Sequence, residues 1–196
     1  IAGAPGDSTA ILSGALQRPG LRGAAPVTDP VAVEIASAAG VGACVDLQIG
    51  GRFTPGLQPL PVRATVLHLG DGQFEISGPV LGGERSSLGR TATILIDGRL
   101  TVLLTSEPGL THTPAAFTSQ GIDPRRQDFV VAKSSSHFHA NFAGIGTTLE
   151  VATPGLSHFT KGFSPWRHAR FWPEHEFGEP DIRAHVFIGR EATIQS

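Results

Sequence analysis

The strongest constraint on the fold is a pair of apolar segments joined by Asp97-Gly98. The segments Thr91–Ile96 and Arg99–Thr105 are rich in Thr, Leu, Ile and Val, residues that favour strands. An Asp-Gly pair supplies the two positive φ angles that a tight hairpin turn requires. The sequence therefore predicts an antiparallel hairpin at this position, and the sheet of the domain must be built around it.

Other turn residues divide the chain into short elements of both kinds. Val62–Leu69 and Gln73–Ser77 flank Gly70-Asp71-Gly72 and predict a second hairpin. Asp29 followed by Pro30 is typical of a helix start and predicts a helix that ends at Gly40. The remaining expected elements are helices over 9–16, with Asp7 or Ser8 as N-cap, and over 113–118, and strands over 43–49, 129–132, 147–151 and 184–188.

The mixture of elements indicates the fold class. With 25 glycines and 15 prolines in 196 residues, we expect many turns between short strands and helices. The sequence predicts an α/β domain with a mixed, hairpin-rich sheet flanked by a few helices, and an α+β arrangement is the alternative.

Charge and hydropathy exclude several classes of partner. The net charge is -2 and the basic residues are scattered, so we expect no nucleic-acid partner. No apolar run approaches the ~20 residues that span a bilayer, so we expect no membrane partner. Charged residues make up only 16% of the chain, which suggests that a further domain or a second copy covers part of the surface.

Cysteine usage limits the covalent chemistry of the chain. Cys44 is the single cysteine, so an internal disulfide is excluded and a reducing, cytoplasmic location is expected. Because Cys44 lies in an apolar strand pattern, we expect a small core residue. The chain also contains no Met and opens on a loop rich in small residues, which suggests a piece of a longer protein.

Two polar segments stand at the ends of predicted elements, where binding and catalytic residues concentrate. The first is Gly3-Ala-Pro-Gly-Asp-Ser-Thr9, which either presents Asp7 to a ligand or is a flexible lead-in to a capped helix. The second is Lys133-Ser-Ser-Ser-His137, after a short apolar strand. Lys133 either anchors a substrate carboxylate or extends to solvent, and His137 is suited to proton transfer.

Further histidines raise the question of a metal. On a strand, His137 and His139 would share one face and one metal ion, but two ligands are too few for catalytic zinc. Thr111-His112-Thr113 precedes a predicted helix and is expected near the active end of the domain. Residues 158–177 hold both tryptophans and three histidines and predict aromatic packing or an interface.

Several of these segments, taken in order, resemble one family. Gly3–Thr9, a Gly-Val-Gly-Ala stretch near 41, the Asp97-Gly98 turn, Gly121-Ile-Asp-Pro124 and Val131-Ala-Lys-Ser-Ser-Ser-His-Phe138 occur together in that order. Val151-Ala-Thr-Pro-Gly155 and Phe171-Trp172-Pro173 follow. The set resembles the C-terminal domain of the MlrC-like metallopeptidases, the microcystinase C family, over residues 1–173. Residues 174–196 then form an extension of unknown role.

The resemblance implies a function. It implies the substrate-side domain of a zinc-dependent hydrolase that cleaves peptide or amide bonds in small peptides, with a zinc-bound water as nucleophile. The zinc is held mainly by an N-terminal domain of the same protein, so no metal ligand is expected in this chain. Asp7, Lys133 and His137 are the implied catalytic residues. Substrate contacts are expected from Ser8, Thr9, Ser136, Phe138 and His139.

Two other classes of function remain open. The chain is alternatively a noncatalytic binding or oligomerisation module, in which the aromatic segment forms the interface between copies. It is alternatively a metal-independent amidohydrolase, with Lys133 as base and Ser136 as nucleophile.

Overall fold

The computed structural model describes residues 4–134 and 136–155 of the chain. The predictions for residues 158–177, for a strand over 184–188 and for the 174–196 extension lie outside the described residues. Within the described part, the architecture is of the α/β class, as predicted. None of the described helices is long and apolar enough to cross a membrane.

Strands and helices follow one another along the chain in short segments. The helices are α1 (Ala10–Leu16), α2 (Pro30–Ala39), α3 (Ala115–Thr118) and α4 (Phe138–Asn141). The strands are β1 (Gly23–Thr28), β2 (Cys44–Ile49), β3 (Leu60–Gly70), β4 (Gln73–Glu75), β5 (Arg85–Ser87), β6 (Thr91–Ile96), β7 (Leu100–Thr105) and β8 (Phe129–Val130). Six of the strands form one mixed sheet in the order β2-β3-β6-β7-β1-β8, and β4 pairs with β5.

The antiparallel half of the sheet contains β2, β3, β6 and β7. The predicted hairpin between β6 and β7 is confirmed, with φ angles of 51° at Asp97 and 67° at Gly98. The second predicted hairpin is wrong, because β3 pairs with β2 and β6 while β4 pairs with β5. Asp71 and Gly72 instead connect β3 to β4, which belongs to a separate small sheet.

The parallel half of the sheet is built around β1, which the sequence did not predict. All six residues of β1 are buried, and the strand pairs in parallel with β7 on one side and β8 on the other. Gly23 is required at the start of β1, because a Cβ there would lie 2.1 Å from the ring of Phe129. The carboxyl ends of β1, β7 and β8 consequently lie at one edge of the sheet.

Both faces of this central region are covered. Alternate residues of β7 point to opposite faces, so Val102 and Leu104 join one apolar cluster while Leu103 joins another. The first cluster includes the buried face of α2, and the second includes Phe117 of α3. The helix predicted from Asp29 and Pro30 is confirmed, since the Asp29 carboxylate accepts a hydrogen bond from Ala32 N.

Three further expectations are wrong. Cys44 is exposed, because it lies at the solvent-facing start of the edge strand β2, where Arg63 Nε donates to its Sγ at 3.3 Å. Residues 147–151 form no strand, since no neighbouring strand pairs with them. The N-cap of α1 is Thr9, not Asp7 or Ser8, and its side chain makes no cap bond. The Asp7 carboxylate bonds instead to Phe53 and Thr54.

Candidate functional site

A cavity of about 590 Å³ lies at the carboxyl ends of β1 and β7. Its volume falls in the range of small-molecule pockets, about 300–1,000 Å³. In open sheets of this class, ligands bind beyond the carboxyl ends of parallel strands. Its walls come from residues 4–8, 108–112 and 131–134, from strand ends at Thr28 and Thr105, and from His137.

The N-terminal loop, residues 4–9, is fixed over this edge by backbone hydrogen bonds. Gly6 C=O accepts from Thr28 N at 3.1 Å, and Asp7 C=O accepts from Gly51 N at 3.0 Å. Lys133 Nζ donates to the carbonyl oxygens of Gly6 and Ser8, the latter at 3.0 Å. The alternative of a flexible lead-in is therefore wrong, and the loop is a rigid wall of the cavity.

The Asp7 carboxylate is buried and fully hydrogen-bonded. It accepts from Phe53 N at 2.8 Å, from Thr54 N at 2.9 Å and from Thr54 Oγ1 at 2.6 Å. Burial opposes ionisation, but these three bonds outweigh it and hold the pKa of Asp7 below its ordinary value. Asp7 is therefore ionised at neutral pH and fastens the N-terminal loop to the β2–β3 connection.

Asp29 fastens the same connection from the end of β1. Its buried carboxylate accepts from Gly50 N at 2.9 Å and from Arg52 Nε, in addition to the helix-capping bond from Ala32 N. Arg52 is partly exposed and also donates to Gln48 C=O at 2.9 Å. Two buried carboxylates thus hold residues 50–54 in place beside the cavity.

Lys133 is the cationic residue of the described cavity lining. Burial lowers the pKa of Lys133 to about 8, and the negative charge of Asp7 only partly offsets that effect. Two of its donor positions are used by the Gly6 and Ser8 carbonyls. The structure thus brings the predicted residues Asp7, Ser8 and Lys133 together in one wall, joined by contacts that span more than a hundred residues of sequence.

Two histidines of the cavity lining, His112 and His137, contact each other. The rings of His112 and His137 lie edge to face, with centroids 5.3 Å apart and planes at 73°. His112 is 1% exposed, and burial together with nearby His137 lowers the pKa of its imidazole. Thr111 and His112, which precede a predicted helix, line the cavity, and their place at an active end stays a prediction.

Two side-chain atoms of the cavity-lining residues make no hydrogen bond within the described part of the chain, Thr111 Oγ1 and His112 Nε2. Both are buried, and neither has a hydrogen-bond partner within residues 4–134 and 136–155. Thr113, the next residue, is fully engaged instead, with its Oγ1 donating to Ser77 C=O at 2.8 Å. The residues of the lining therefore differ: the Asp7 carboxylate is fully hydrogen-bonded, whereas Thr111 and His112 each have an atom without a partner among the described residues.

The other predicted substrate contacts lie outside the cavity lining. Thr9 caps α1, and Ser136 is exposed ahead of α4. The ring of His139 stacks on Phe138 with centroids 4.2 Å apart, and His139 Nε2 lies 3.2 Å from Glu150 Oε1 at the surface. Their roles as substrate contacts stay predictions.

The described residues do not form a metal centre. They contain no group of three or more His, Cys, Asp or Glu side chains placed to hold one ion. His137 and His139 do not share the face of a strand, because they lie at the start of α4, where His137 contacts His112 and His139 contacts Glu150. The donor set that the chain provides at this site therefore does not fit a self-contained zinc ion.

Comparisons with known proteins agree on one family. A family model described as the MlrC C-terminus matches residues 1–168. Microcystinase C from a Sphingomonas species is 29% identical over 180 residues, which cover 87% of this chain and 33% of that protein. A crystal structure of a "Putative metallopeptidase" from Mesorhizobium sp. BNC1 has a TM-score of 0.83 and 37% identity, and covers 89% of this chain and 35% of that chain. The chain spans about a third of the length of both relatives.

Proposed function

The chain belongs to the MlrC C-terminal domain family, and on that premise we propose that it forms the substrate-side half of a zinc-dependent hydrolase that cleaves small peptides. The names of the two relatives, a microcystinase and a metallopeptidase, support a peptidase-like hydrolase. The observation that carries the proposal is the cavity at the carboxyl edge of the sheet, whose lining includes both Lys133 and His137.

The residues of this chain would bind and orient the substrate. The N-terminal loop is held rigidly by Lys133, so the wall formed by Gly6 and Ser8 is in place before a ligand arrives. His137, which lines the cavity and is not fully buried, can donate a hydrogen bond to the carbonyl oxygen under attack or pass a proton to the leaving amine.

We assign the zinc to the N-terminal domain of the same protein. Relatives about three times as long as this chain leave room for such a domain, and the described residues lack a set of three potential ligands. In this proposal, closure of the two domains excludes water from the cavity.

The enzyme acts in the cytoplasm, and an association of copies through exposed apolar residues of α2, Val31 and Ile35, is compatible with it.

Metal content and hydrolysis test the proposal together. We expect a protein that includes the N-terminal domain to retain about one zinc per chain after dialysis and to cleave short peptides, and we expect the 196 residues alone to retain none. His137→Gln in the longer protein should reduce kcat at least tenfold without loss of zinc. Ser119→Ala, which removes an exposed hydroxyl outside the cavity, is the control.

Three outcomes would contradict this assignment. Stoichiometric zinc in the 196 residues alone would place the metal here. Hydrolysis that survives removal of the metal by a chelator would favour the metal-independent amidohydrolase. Unchanged turnover in His137→Gln, together with an altered oligomeric size, would favour the assembly module.

A further inference from the structure

Two residues of the cavity lining, Thr111 and His112, each have a buried polar atom to which no role in hydrolysis is assigned. Thr111 Oγ1 and His112 Nε2 belong to residues that are 4% and 1% exposed, and neither atom has a partner among the described residues. Buried polar groups in folded proteins are nearly always hydrogen-bonded, so each exception calls for a missing partner. Because both residues line the same cavity, one ligand group can satisfy both atoms.

The charges around the cavity select the sign of that group. Lys133 is the cationic residue of the lining, and Asp7 is the acidic one among the described residues. The Asp7 carboxylate is turned toward Phe53 N and Thr54, where three hydrogen bonds occupy it. An incoming anion therefore meets an ammonium and two imidazoles, with no free carboxylate on the described lining to repel it.

The rest of the lining selects what carries the anion. Apolar surface predominates in the lining, which includes the side chains of Ile11, Leu81, Leu110 and Val151. A small inorganic anion would leave this surface uncovered, whereas an apolar side chain of the ligand would bury it.

We propose that the cavity is a subsite for a carboxylate group borne on an apolar residue of the substrate, with Thr111 and His112 as its hydrogen-bonding partners. The inference rests on the proposed function in naming a peptide, and it makes the substrate class a small peptide with a free carboxylate beside an apolar side chain. Thr111 Oγ1–H and the Nε2–H tautomer of His112 donate to the carboxylate oxygens. Binding itself requires no hydrolysis and no metal.

Binding of N-acetyl-L-leucine to the full-length protein tests the subsite. Calorimetry is carried out on the protein as isolated and again after the metal has been removed with a chelator, so that coordination to zinc is separated from binding in the cavity. We expect binding in both forms, and at least tenfold weaker binding of N-acetyl-L-leucinamide, which lacks the charge.

Variants assign the binding to the two named residues. His112→Gln and Thr111→Val each remove a side chain that makes no hydrogen bond within the described residues, so the fold should persist, which the thermal melting curve verifies. We expect each to weaken N-acetyl-L-leucine at least fivefold in the metal-free protein. His68→Gln is the matched control, because His68 Nδ1 is also buried and unpaired but His68 lies outside the cavity lining.

The outcomes separate this proposal from the proposed function. Equal affinity for the acid and the amide, unchanged affinity in both variants, or equally tight binding of inorganic phosphate would overturn the carboxylate subsite even in an active peptidase. Carboxylate binding that depends on Thr111 and His112 in a protein without peptidase activity would support the subsite while the hydrolase assignment fails.

Discussion

Two groups of buried polar residues beside the cavity differ in how completely their hydrogen bonds are made. In the bonded cluster, which we define as Asp7, Asp29 and Lys133, every carboxylate and the ammonium contact defined partners. In the unbonded pair, Thr111 and His112, one polar atom of each residue has no partner among the described residues. Asp7 and Asp29 are as buried as Thr111 and His112, so exposure alone does not distinguish structural residues from functional ones.

The difference indicates that the bonded cluster stabilises the fold and that the unbonded pair is available to a ligand. Hydrogen bonds within a buried network stabilise the fold and leave it little capacity for a ligand, whereas an unpaired buried polar atom costs stability until a ligand pairs with it. Substitutions in the bonded cluster should therefore lower stability, and substitutions in the unbonded pair should spare stability and alter binding. Each prediction below compares one residue with this expectation.

The largest loss of stability is expected when Asp29 is replaced. Asp29→Ala leaves Arg52 Nε and the amides of Ala32 and Gly50 without an acceptor, so the free energy of unfolding should fall by about 3–5 kcal/mol. Urea denaturation followed by circular dichroism measures the loss. Asp71→Ala, which removes a single exposed bond to Gln73 N, is the control, and an equal loss in both variants would contradict the role given to Asp29.

The next effect is a pH dependence that Lys133 imposes on stability. Its pKa is about 8 in the folded protein and 10.5 ordinarily, so between these values the unfolded chain binds more protons than the folded chain. Stability should therefore rise with pH across this window, by up to about 3 kcal/mol, and the rise should be absent from Lys133→Met. The difference in unfolding free energy between the two proteins from pH 7.5 to pH 10.5 is the measurement, and a constant difference would contradict it.

A smaller loss is expected at Asp7. Asp7→Asn replaces a carboxylate that accepts three hydrogen bonds and should lower the unfolding free energy by about 2–3 kcal/mol at pH 7. Because the pKa of Asp7 is held below 3.8, the stabilisation is complete above that pH and disappears as the pH falls through the lower folded pKa. Wild type and variant should thus converge in acid, while Asp46→Asn, at an exposed position of β2, should match wild type throughout.

The smallest effect on stability is expected in the unbonded pair. Thr111→Val exchanges an unpaired buried hydroxyl for a methyl group, so the unfolding free energy should change by less than about 1 kcal/mol and should increase rather than decrease. Thr113→Val is the informative contrast, because Thr113 Oγ1 bonds to Ser77, and it should lose about 1–2 kcal/mol. If Thr111→Val destabilised as much as Thr113→Val, Thr111 would belong with the bonded residues.

The parts of the fold that depend on residues close together in the sequence could be predicted. The Asp97-Gly98 turn and the Asp29-Pro30 helix start are local signals, and both are confirmed. The strand β1 carries no such signal, since Pro26 interrupts a run of small residues and its neighbours β7 and β8 come much later in the chain. Parallel pairing leaves no turn between partners from which it could be inferred.

The sequence predicted which residues belong to the candidate site better than it predicted which residues they contact. Asp7, Lys133 and His137 line one cavity, as their positions after predicted elements suggested. What held them was not evident, because the carbonyls that Lys133 contacts lie 127 and 125 residues away, and Thr54 lies 47 residues from Asp7. The pairing of His112 with His137 depends equally on the finished fold.

The position of β1 between β7 and β8 also determines the order in which the molecule can assemble. The antiparallel strands β2, β3, β6 and β7 all lie within residues 44–105. In contrast, β1 must wait for partners that follow it by some 77 residues at Leu100 and by over a hundred at Phe129. Such distant pairings form slowly. The cavity, which requires Lys133 to reach Gly6, is then completed at the end of folding, so refolding should restore the circular dichroism of the sheet before it restores ligand binding.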